Sequence, residues 1–367
     1  MINKGAQGLK IAIVHDYLNQ YGGAEKVVEA LHELYPEAPI YTTIYLPEQM
    51  PDTFRKMDIR TSFMQKLPWL KKHFKKYLAL YPRAIESFDF CGYDLILSSS
   101  SAWAKGAKHA QKTLHICYCY TPMRWVWSYE KYVEREHIPS WAELGLKGCI
   151  RYLKRWDLRT NNRVDKFIAI SNLIRDRIKR CYGLDSAVIY PPVETARFKI
   201  APQLKDYFLL VSRLNPYKRV DVVVEAFNRL GLPLVIIGEG PDKKNLQKIA
   251  KPNIQFLGQV SDEVIAEHCS QCQAFIFPGE EDFGIAPVEA MAAGRPVIAF
   301  AAGGALETVV DGQTGVFFKE QTPASLIKAV EHFRQMKFNP DIIRAQALKF
   351  DKEVFKKSLK AYIDGIL

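Results

Sequence analysis

Two acids, Glu281 and Glu289, stand eight positions apart in the run Pro278-Gly-Glu-Glu-Asp-Phe-Gly-Ile-Ala-Pro-Val-Glu-Ala-Met-Ala-Ala-Gly-Arg-Pro-Val-Ile-Ala299. An ionised carboxylate only accepts hydrogen bonds, so two of them in one crevice suit a ligand rich in hydroxyl groups. A solvated acidic loop followed by an ordinary helix glutamate would also account for either acid alone. It accounts less well for Phe283-Gly284 between them, or for the small residues Ala290, Ala292, Ala293 and Gly294 that follow. Upstream, Arg213 and Lys218 bracket the loop Arg-Leu-Asn-Pro-Tyr-Lys. Two cations at the exit of a strand and the mouth of a helix suit a diphosphate, to which backbone N–H groups add their own attraction.

The surrounding pattern positions these groups. A strand over 274–277, an acidic glycine-containing loop, a helix over 287–293 and a strand over 296–300 place one acid on the loop and one in the helix. Open α/β sheets bind ligands at such carboxyl ends of parallel strands. The same half offers strands over 207–211, 234–237 and 254–256, and helices over 220–230, 242–249 and 262–269. Gly238-Glu-Gly240 reads as a tight turn beside a nucleotide. Lys243 stands where a dinucleotide fingerprint needs its third glycine, so a dehydrogenase reading fails. The first half has strands over 10–15, 40–45, 95–98, 114–118 and 166–169, a helix over 25–34 and a long helix over 150–162. Paired prolines in Ile189-Tyr-Pro-Pro-Val-Glu-Thr-Ala-Arg197 mark a linker. The division is into 1–190 and 191–349, with helices over 323–336 and 340–366 at the end. The class is α/β throughout.

The acidic run resembles the signature of the retaining, nucleotide-sugar-dependent glycosyltransferases of family 4, whose pattern is two glutamates separated by seven residues with Phe-Gly after the first. The likeness is strongest from Tyr207 to Phe318, and the bacterial mannosyltransferases of polysaccharide and O-antigen assembly look most similar. It implies a GT-B fold, two Rossmann-like domains facing a central cleft, with a helix from about residue 350 to 367 crossing back onto the first domain. It implies that Glu289 binds the ribose hydroxyls and Glu281 contacts the transferred sugar. Backbone groups of Phe283, Gly284 and Ile285 would meet sugar and phosphates, and Arg213 and Lys218 would hold the diphosphate. Gly303, Gly304 and Glu307 line the same crevice in the family, though a plain turn and a helix acid explain them as well. No cofactor or metal is implied, because the nucleotide sugar, GDP-mannose above all, is a substrate.

On the acceptor side, Gly22-Gly23 follows a strand and precedes a helix, where glycine lets a backbone approach a ligand. The segment Leu114-His-Ile-Cys-Tyr-Cys-Tyr-Thr-Pro-Met-Arg-Trp-Val-Trp127 is dense in aromatic residues. Tyr120 occupies the place where related mannosyltransferases commonly carry a histidine. Tyrosine can hydrogen-bond there but does not titrate near neutral pH. Arg124, Trp125 and Trp127 form either a platform for sugar or lipid phosphate, or part of the core.

The 367 residues carry a net charge of +11. The stretch from Lys66 to Arg83 contains no acid, and Trp69, Leu70, Phe74, Tyr77 and Leu78 recur in it at helical spacing. Lys71, Lys72, Lys75 and Lys76 cover the other side. A basic amphipathic helix of this kind fits an anionic membrane surface, or else a core helix with a solvated lysine face. A second basic stretch runs from Lys147 to Arg163. No run of eighteen apolar residues occurs, and the N-terminus lacks the apolar centre of a signal peptide. The expectation is a cytoplasmic protein, peripheral on the inner face of the membrane, acting on a polyprenyl-diphosphate-linked glycan. Its seven cysteines are scattered, and the lone Cys269-x-x-Cys272 lacks the second pair a metal site needs. Charge alone does not make a nucleic-acid binder, and no such motif is present. Two alternatives stand beside the enzyme reading: a non-catalytic sugar-nucleotide-binding scaffold, prompted by Tyr120, and a transferase using a UDP-hexose.

Overall fold

The computed structural model describes residues 8–127 and 140–367; within them the side chains of Lys72, Lys75 and residues 140–144 lie outside the described set. The chain forms two compact units, Met1–Tyr190 with Lys356–Leu367, and Pro191–Phe355.

In the first unit the strands are β1 (Ile11–His15), β2 (Ile40–Thr42), β3 (Ile59–Thr61), β4 (Leu95–Ser100), β5 (Leu114–Cys119), β6 (Lys166–Ala169) and β7 (Ser186–Val188). They pair in the order β3-β2-β1-β4-β5-β6-β7, parallel at every pair. Every residue of β1 and β4 is buried, as expected of parallel strands covered on both faces. The helices are α1 (Gly23–Leu34), α2 (Leu70–His73), α3 (Tyr81–Glu86), α4 (Arg124–Trp127), α5 (Ser140–Thr160) and α6 (Asn172–Tyr182).

The second unit has β8 (Phe208–Val211), β9 (Leu234–Ile237), β10 (Ile254–Gly258), β11 (Phe275–Phe277), β12 (Val297–Phe300) and β13 (Gly315–Phe318). Their order is β10-β9-β8-β11-β12-β13, again parallel. Between them run α7 (Val220–Leu230), α8 (Lys243–Ile249), α9 (Asp262–Gln271), α10 (Ile285–Ala292) and α11 (Ala305–Thr308), followed by α12 (Pro323–Arg334) and α13 (Pro340–Leu348); α14 (Lys352–Asp364) begins in this unit and ends in the first. Helix α7 shows why the sequence folds so locally. Val220, Val223, Val224 and Phe227 recur along one face and are buried, each contributing about 1.5–3 kcal/mol. Gly231, in the left-handed region at φ 69°, closes the helix.

Three expectations need correction. The basic stretch 66–83 is not one amphipathic helix. Pro68 and Trp69, the latter at φ 50°, interrupt it. Then α2, a 3-10 run over Phe74–Leu80 and α3 follow in short pieces, with Tyr77 departing from helical geometry. Its apolar residues are core: Leu70 is buried, and Phe74, Tyr77 and Leu78 pack against the same cluster. Trp69, 77 % exposed, is the exception. Lys71 reaches Glu48 at 2.5 Å and Lys76 is exposed. Second, residues 340–366 form two helices. The carbonyl of Phe350 accepts from the Val193 amide at 3.0 Å, and Asp351 caps the start of α14 through the Glu353 amide at 2.8 Å. The chain therefore stops and restarts where it pairs with the linker. Third, β3, β7 and β13 are short strands outside the sequence-based set. Mixed polarity hides β3 and β7, Ile-Arg-Thr and Ser-Ala-Val, from a search for apolar runs.

Candidate active site

In each unit the strand order reverses beside the first strand, at β1/β4 and at β8/β11. Adjacent loops diverge at such a point and leave a crevice. The residues singled out for the donor, and Gly22, Gly23 and Tyr120 of the acceptor set, lie on loops, or on the helices that follow them, at these two places.

In the second unit, β8 delivers Arg213, which is exposed, and then the turn Pro216–Lys218. Strand β11 delivers the acidic loop. The loops run side by side: a side chain on Gly279 would sit 3.3 Å from the Lys218 carbonyl oxygen. Lys218 Nζ donates to Glu281 Oε1, and both side chains are largely buried. The cation meant for a diphosphate and the acid meant for a sugar therefore share one spot. The Gly304 amide donates to the Glu281 carbonyl at 2.8 Å and fixes the acidic loop against the turn after β12. That turn carries Gly303, and Glu307 follows it on α11. On the other side, Gly238 packs against the loop after β8; a Cβ there would stand 1.9 Å from the Ser212 carbonyl oxygen. Loops from four adjacent strands thus interlock through backbone contacts that only glycine permits. Gly304 is the sharpest case, because an added Cβ would meet Phe283 oxygen at 2.2 Å and its Cα at 2.3 Å. Gly304→Ala is expected to displace the acidic loop and weaken nucleoside diphosphate binding by about tenfold or more, with the central sheet intact; calorimetric titration and circular dichroism check both halves.

Gly284, at φ 88°, caps α10, whose first residue is Ile285. The Phe283 ring points inward and packs edge-on against Phe350 at 5.5 Å. Glu289, one turn along α10, is buried and accepts from Arg197 Nη2 at 3.1 Å. Arg197 also donates to Asp262 at the start of α9, and its guanidinium lies 4.9 Å over the Phe198 ring. Sequence patterning does not point to Arg197, since an arginine 92 residues from its partner carries no local signal. Arg219 adopts φ 55° ahead of α7 and pairs with Asp221 at 3.2 Å.

In the first unit the tips of β1, β4 and β5 form a second cluster. Tyr120, partly buried just beyond β5, donates through its hydroxyl to the Ala24 carbonyl at 3.0 Å and lies 2.7 Å from Ser99 Oγ. Burial pushes its hydroxyl well above the usual tyrosine range, so Tyr120 acts as a neutral hydroxyl. His15 Nδ1 is 2.9 Å from Ser99 Oγ and 3.1 Å from the Ser99 carbonyl oxygen. His15 Nε2 faces Glu25 Oε1 at 3.7 Å. The other Glu25 oxygen accepts the Gly22 amide at 2.8 Å, so α1 satisfies that donor itself. Gly23 opens α1. Nothing in the sequence singles out His15, Ser99 or Glu25, because each lies in an element that periodicity describes only as core.

Asp16, next along, is buried and accepts from the amides of Ser101, Ala102, Trp103 and Ala104 at 2.6–3.0 Å. It clamps the turn after β4. The aromatic segment is mainly structural. Trp127 Nε1 donates to Asp157 at 2.8 Å, Asp157 pairs with buried Lys105 at 3.1 Å, and Lys154 stacks 4.5 Å over the Trp127 ring. Trp125 packs on the core, while Arg124 is exposed. Among the described residues no group of three His, Cys, Asp or Glu side chains could hold a metal ion. Cys269 and Cys272 are buried free thiols, and burial pushes Cys272 up to about 12. Among the same residues no helix is long and apolar enough to cross a membrane.

Two all-parallel α/β units with ligand-type loops at their strand reversals define the GT-B class of glycosyltransferases. Solved structures of the class superpose on nearly the whole chain: Anabaena Alr3699/HepE in complex with UDP, at a TM-score of 0.72 and 17% identity over 97% of this chain and 100% of that one. A sucrose-phosphate synthase from Thermosynechococcus elongatus gives a TM-score of 0.73 at 16% identity, covering 98% and 99%. The family model described as Glycosyltransferase Family 4 matches residues 21–197, and that described as Glycosyl transferases group 1 matches 193–349. The chain belongs to the family 4 glycosyltransferases. Among curated relatives, a GDP-mannose-dependent alpha-mannosyltransferase of Mycolicibacterium smegmatis is 33% identical over 44% of this chain and 46% of its own length. One of that description from Mycobacterium tuberculosis is 27% identical over 89% of both. The chain spans about half the length of the first curated relatives it matches, 46–49% of each.

Proposed function

We propose that this protein is a retaining hexosyltransferase that moves mannose from GDP-mannose onto a lipid-linked or oligosaccharide acceptor in cell-surface polysaccharide assembly. The carrying observation is the pairing of Lys218 with Glu281 at the β8/β11 reversal. A cation and an acid held at one point suit a substrate whose diphosphate is joined directly to a sugar. Lys218, with Arg213 nearby in sequence, stabilises charge on the departing diphosphate. Glu281 orients the sugar, Glu289 takes the ribose hydroxyls, and the interlocked glycine loops bring backbone close to the phosphates. In the retaining reaction the acceptor oxygen bonds to the anomeric carbon as its bond to the diphosphate breaks. The acceptor's proton goes to a phosphate oxygen, so no protein base is needed, in keeping with a neutral Tyr120. The mannosyltransferase relatives favour GDP-mannose as the donor.

The test is transfer of labelled mannose from GDP-mannose to a polyprenyl-diphosphate-linked oligosaccharide, with the anomeric configuration of product read by NMR. An α-linked product supports the reading. Nucleotide binding without turnover on any acceptor would instead favour the scaffold.

Attachment to an anionic membrane surface remains part of this proposal, now resting on exposed Trp69 beside Lys71 and Lys76 rather than on a continuous helix. Helix α5 adds Arg151, Tyr152, Arg155 and Leu158, all exposed. The protein is expected to co-sediment with vesicles containing phosphatidylglycerol, and Trp69→Ser with Lys76→Glu to weaken this by about tenfold, at ~1 kcal/mol for the charge plus the indole's insertion. Equal sedimentation of wild type and variant would remove this site.

A further inference from the structure

We propose that Arg344 is the positioning residue of the donor's ribose site: it locks the segment that carries Arg197 to the helix that carries Glu289, and so fixes the direction in which that acid meets a pair of hydroxyls. This rests on the transferase reading above, with Glu289 as the ribose acid, and adds to it the group that aims the acid.

The contacts close a circuit within the second unit. Arg197 gives Nη2 to Glu289 Oε1 at 3.1 Å and Nη1 to Asp262. The next residue, Phe198, is fully buried, and its ring lies 4.9 Å from the Arg197 guanidinium. The Phe198 carbonyl accepts from Arg344 Nη1 at 2.6 Å, and the same nitrogen donates to the Ala292 carbonyl. Ala292 stands three residues after Glu289 and ends α10. Nη1 carries two hydrogens, one for each carbonyl. Glu289, Arg197, Phe198, Arg344 and Ala292 are thus joined end to end, and α13 supplies the side chain that closes the circuit.

Capping alone does not account for Arg344. The last carbonyls of a helix need partners. In α10 the carbonyls of Glu289, Ala290 and Met291 accept from the amides of Ala293, Arg295 and Gly294 respectively, at 2.8–3.2 Å. The Ala292 carbonyl is left to Arg344. A cap needs that one carbonyl, whereas Arg344 engages a second, on the residue next to Arg197. Arg197 depends on such help. Among the described residues no group partners its Nε, which is buried. The backbone of its turn, rather than a hydrogen bond near the stem, therefore sets where the fork points. The same three segments meet in packing: a Cβ on Gly294, at φ 72°, would stand 2.9 Å from Ile200 Cγ1 and 3.0 Å from Pro340 Cβ. With so little slack, a change at Arg344 passes to Phe198 and Arg197. Glu289 then keeps its charge but loses its aim, and the hydrogen bonds it accepts from paired hydroxyls weaken.

The experiment is calorimetric titration of the full-length protein with GDP and with 2′,3′-dideoxy-GDP, on wild type, Arg344→Met, Arg344→Lys, Glu289→Gln and the double variant Glu289→Gln with Arg344→Met, alongside melting temperatures. Arg344→Met is expected to weaken GDP binding about threefold to tenfold, a part of what a charged acceptor contributes, while dideoxy-GDP affinity moves less than about twofold. Arg344→Lys, whose ammonium can give a hydrogen to each carbonyl, should recover most of the GDP affinity. On the Glu289→Gln background, Arg344→Met should cost nothing further. If the protein prefers uracil, UDP and 2′,3′-dideoxy-UDP serve in the same way, because the ribose is common to both. Equal loss of both nucleotides, unchanged GDP affinity in Arg344→Met, or losses that add in the double variant overturn the proposal and leave Glu289 as the ribose acid. Should Arg344→Met fail to fold, Arg344→Gln, which keeps a donor too short to span both carbonyls, is read by the same criteria. A wild type that binds GDP and dideoxy-GDP equally overturns the ribose role of Glu289 and the proposal with it, and one that binds neither GDP nor UDP overturns the transferase reading as well.

Discussion

Replacing Lys218 by alanine is expected to lower kcat/KM for the nucleotide sugar by about a hundredfold to a thousandfold, roughly 2.7–4 kcal/mol of transition-state stabilisation. On the proposed function the ammonium meets the charge that develops on the leaving diphosphate, and its largely buried position weakens solvent screening. The substitution also leaves Glu281 without its partner, and a carboxylate beside a diphosphate repels it. Loss should thus appear in kcat as well as in KM. Lys218→Arg is expected to recover only part of the rate, because a planar fork does not reproduce a compact point charge. Glu281 keeps 25 % of its side-chain surface exposed, so the unpaired acid remains hydrated and the fold persists. Steady-state kinetics with GDP-mannose, alongside a thermal melt, separate the catalytic loss from a structural one. A variant with unchanged kcat/KM would remove Lys218 from the site.

The second large effect concerns Glu289. Changing it to glutamine is expected to weaken GDP binding by about tenfold to a hundredfold, the ~1.5–3 kcal/mol of hydrogen bonds made to a charged acceptor. Its carboxylate is buried and braced by Arg197, which also engages Asp262. Arg197→Ala should therefore repeat part of the loss, by letting the acid turn away. The telling control is 2′,3′-dideoxy-GDP: it should bind wild type and Glu289→Gln with nearly equal, weak affinity, since it lacks the hydroxyls the acid receives. A variant that loses affinity for both nucleotides alike would mean that Glu289 supports the structure and not the ribose.

These groups differ in how far the sequence exposes them. Glu281 and Glu289 are legible because a helix and its preceding loop carry both, so their spacing along the chain reflects their spacing in space. The same holds for α7, β9 and the loop bearing Arg213 and Lys218, where periodicity and local turn chemistry act within a dozen residues. Arg197 and the cluster of His15, Ser99 and Glu25 are joined by parallel strands and distant helices. The separation of 84 residues between His15 and Ser99 is bridged by register, with His15 opposite Ser99 in the β1–β4 pairing. Nothing local encodes that. The basic stretch 66–83 fails for the opposite reason. Its helical spacing is genuine, but Pro68 and a left-handed Trp69 break the backbone, and burial of Leu70 and Phe74 is met by short turns instead. Tertiary packing satisfied the apolar pattern without the continuous helix that periodicity alone suggests.

The β8/β11 crevice is proposed to receive a guanosine diphosphate sugar. Calorimetric titration of the purified protein with GDP and with UDP, repeated on Glu289→Gln, tests it most directly. The prediction is clear preference for GDP, lost in the variant. Preference for UDP would keep the crevice and change the donor to a UDP-hexose, while a folded protein that binds neither nucleotide would contradict the account.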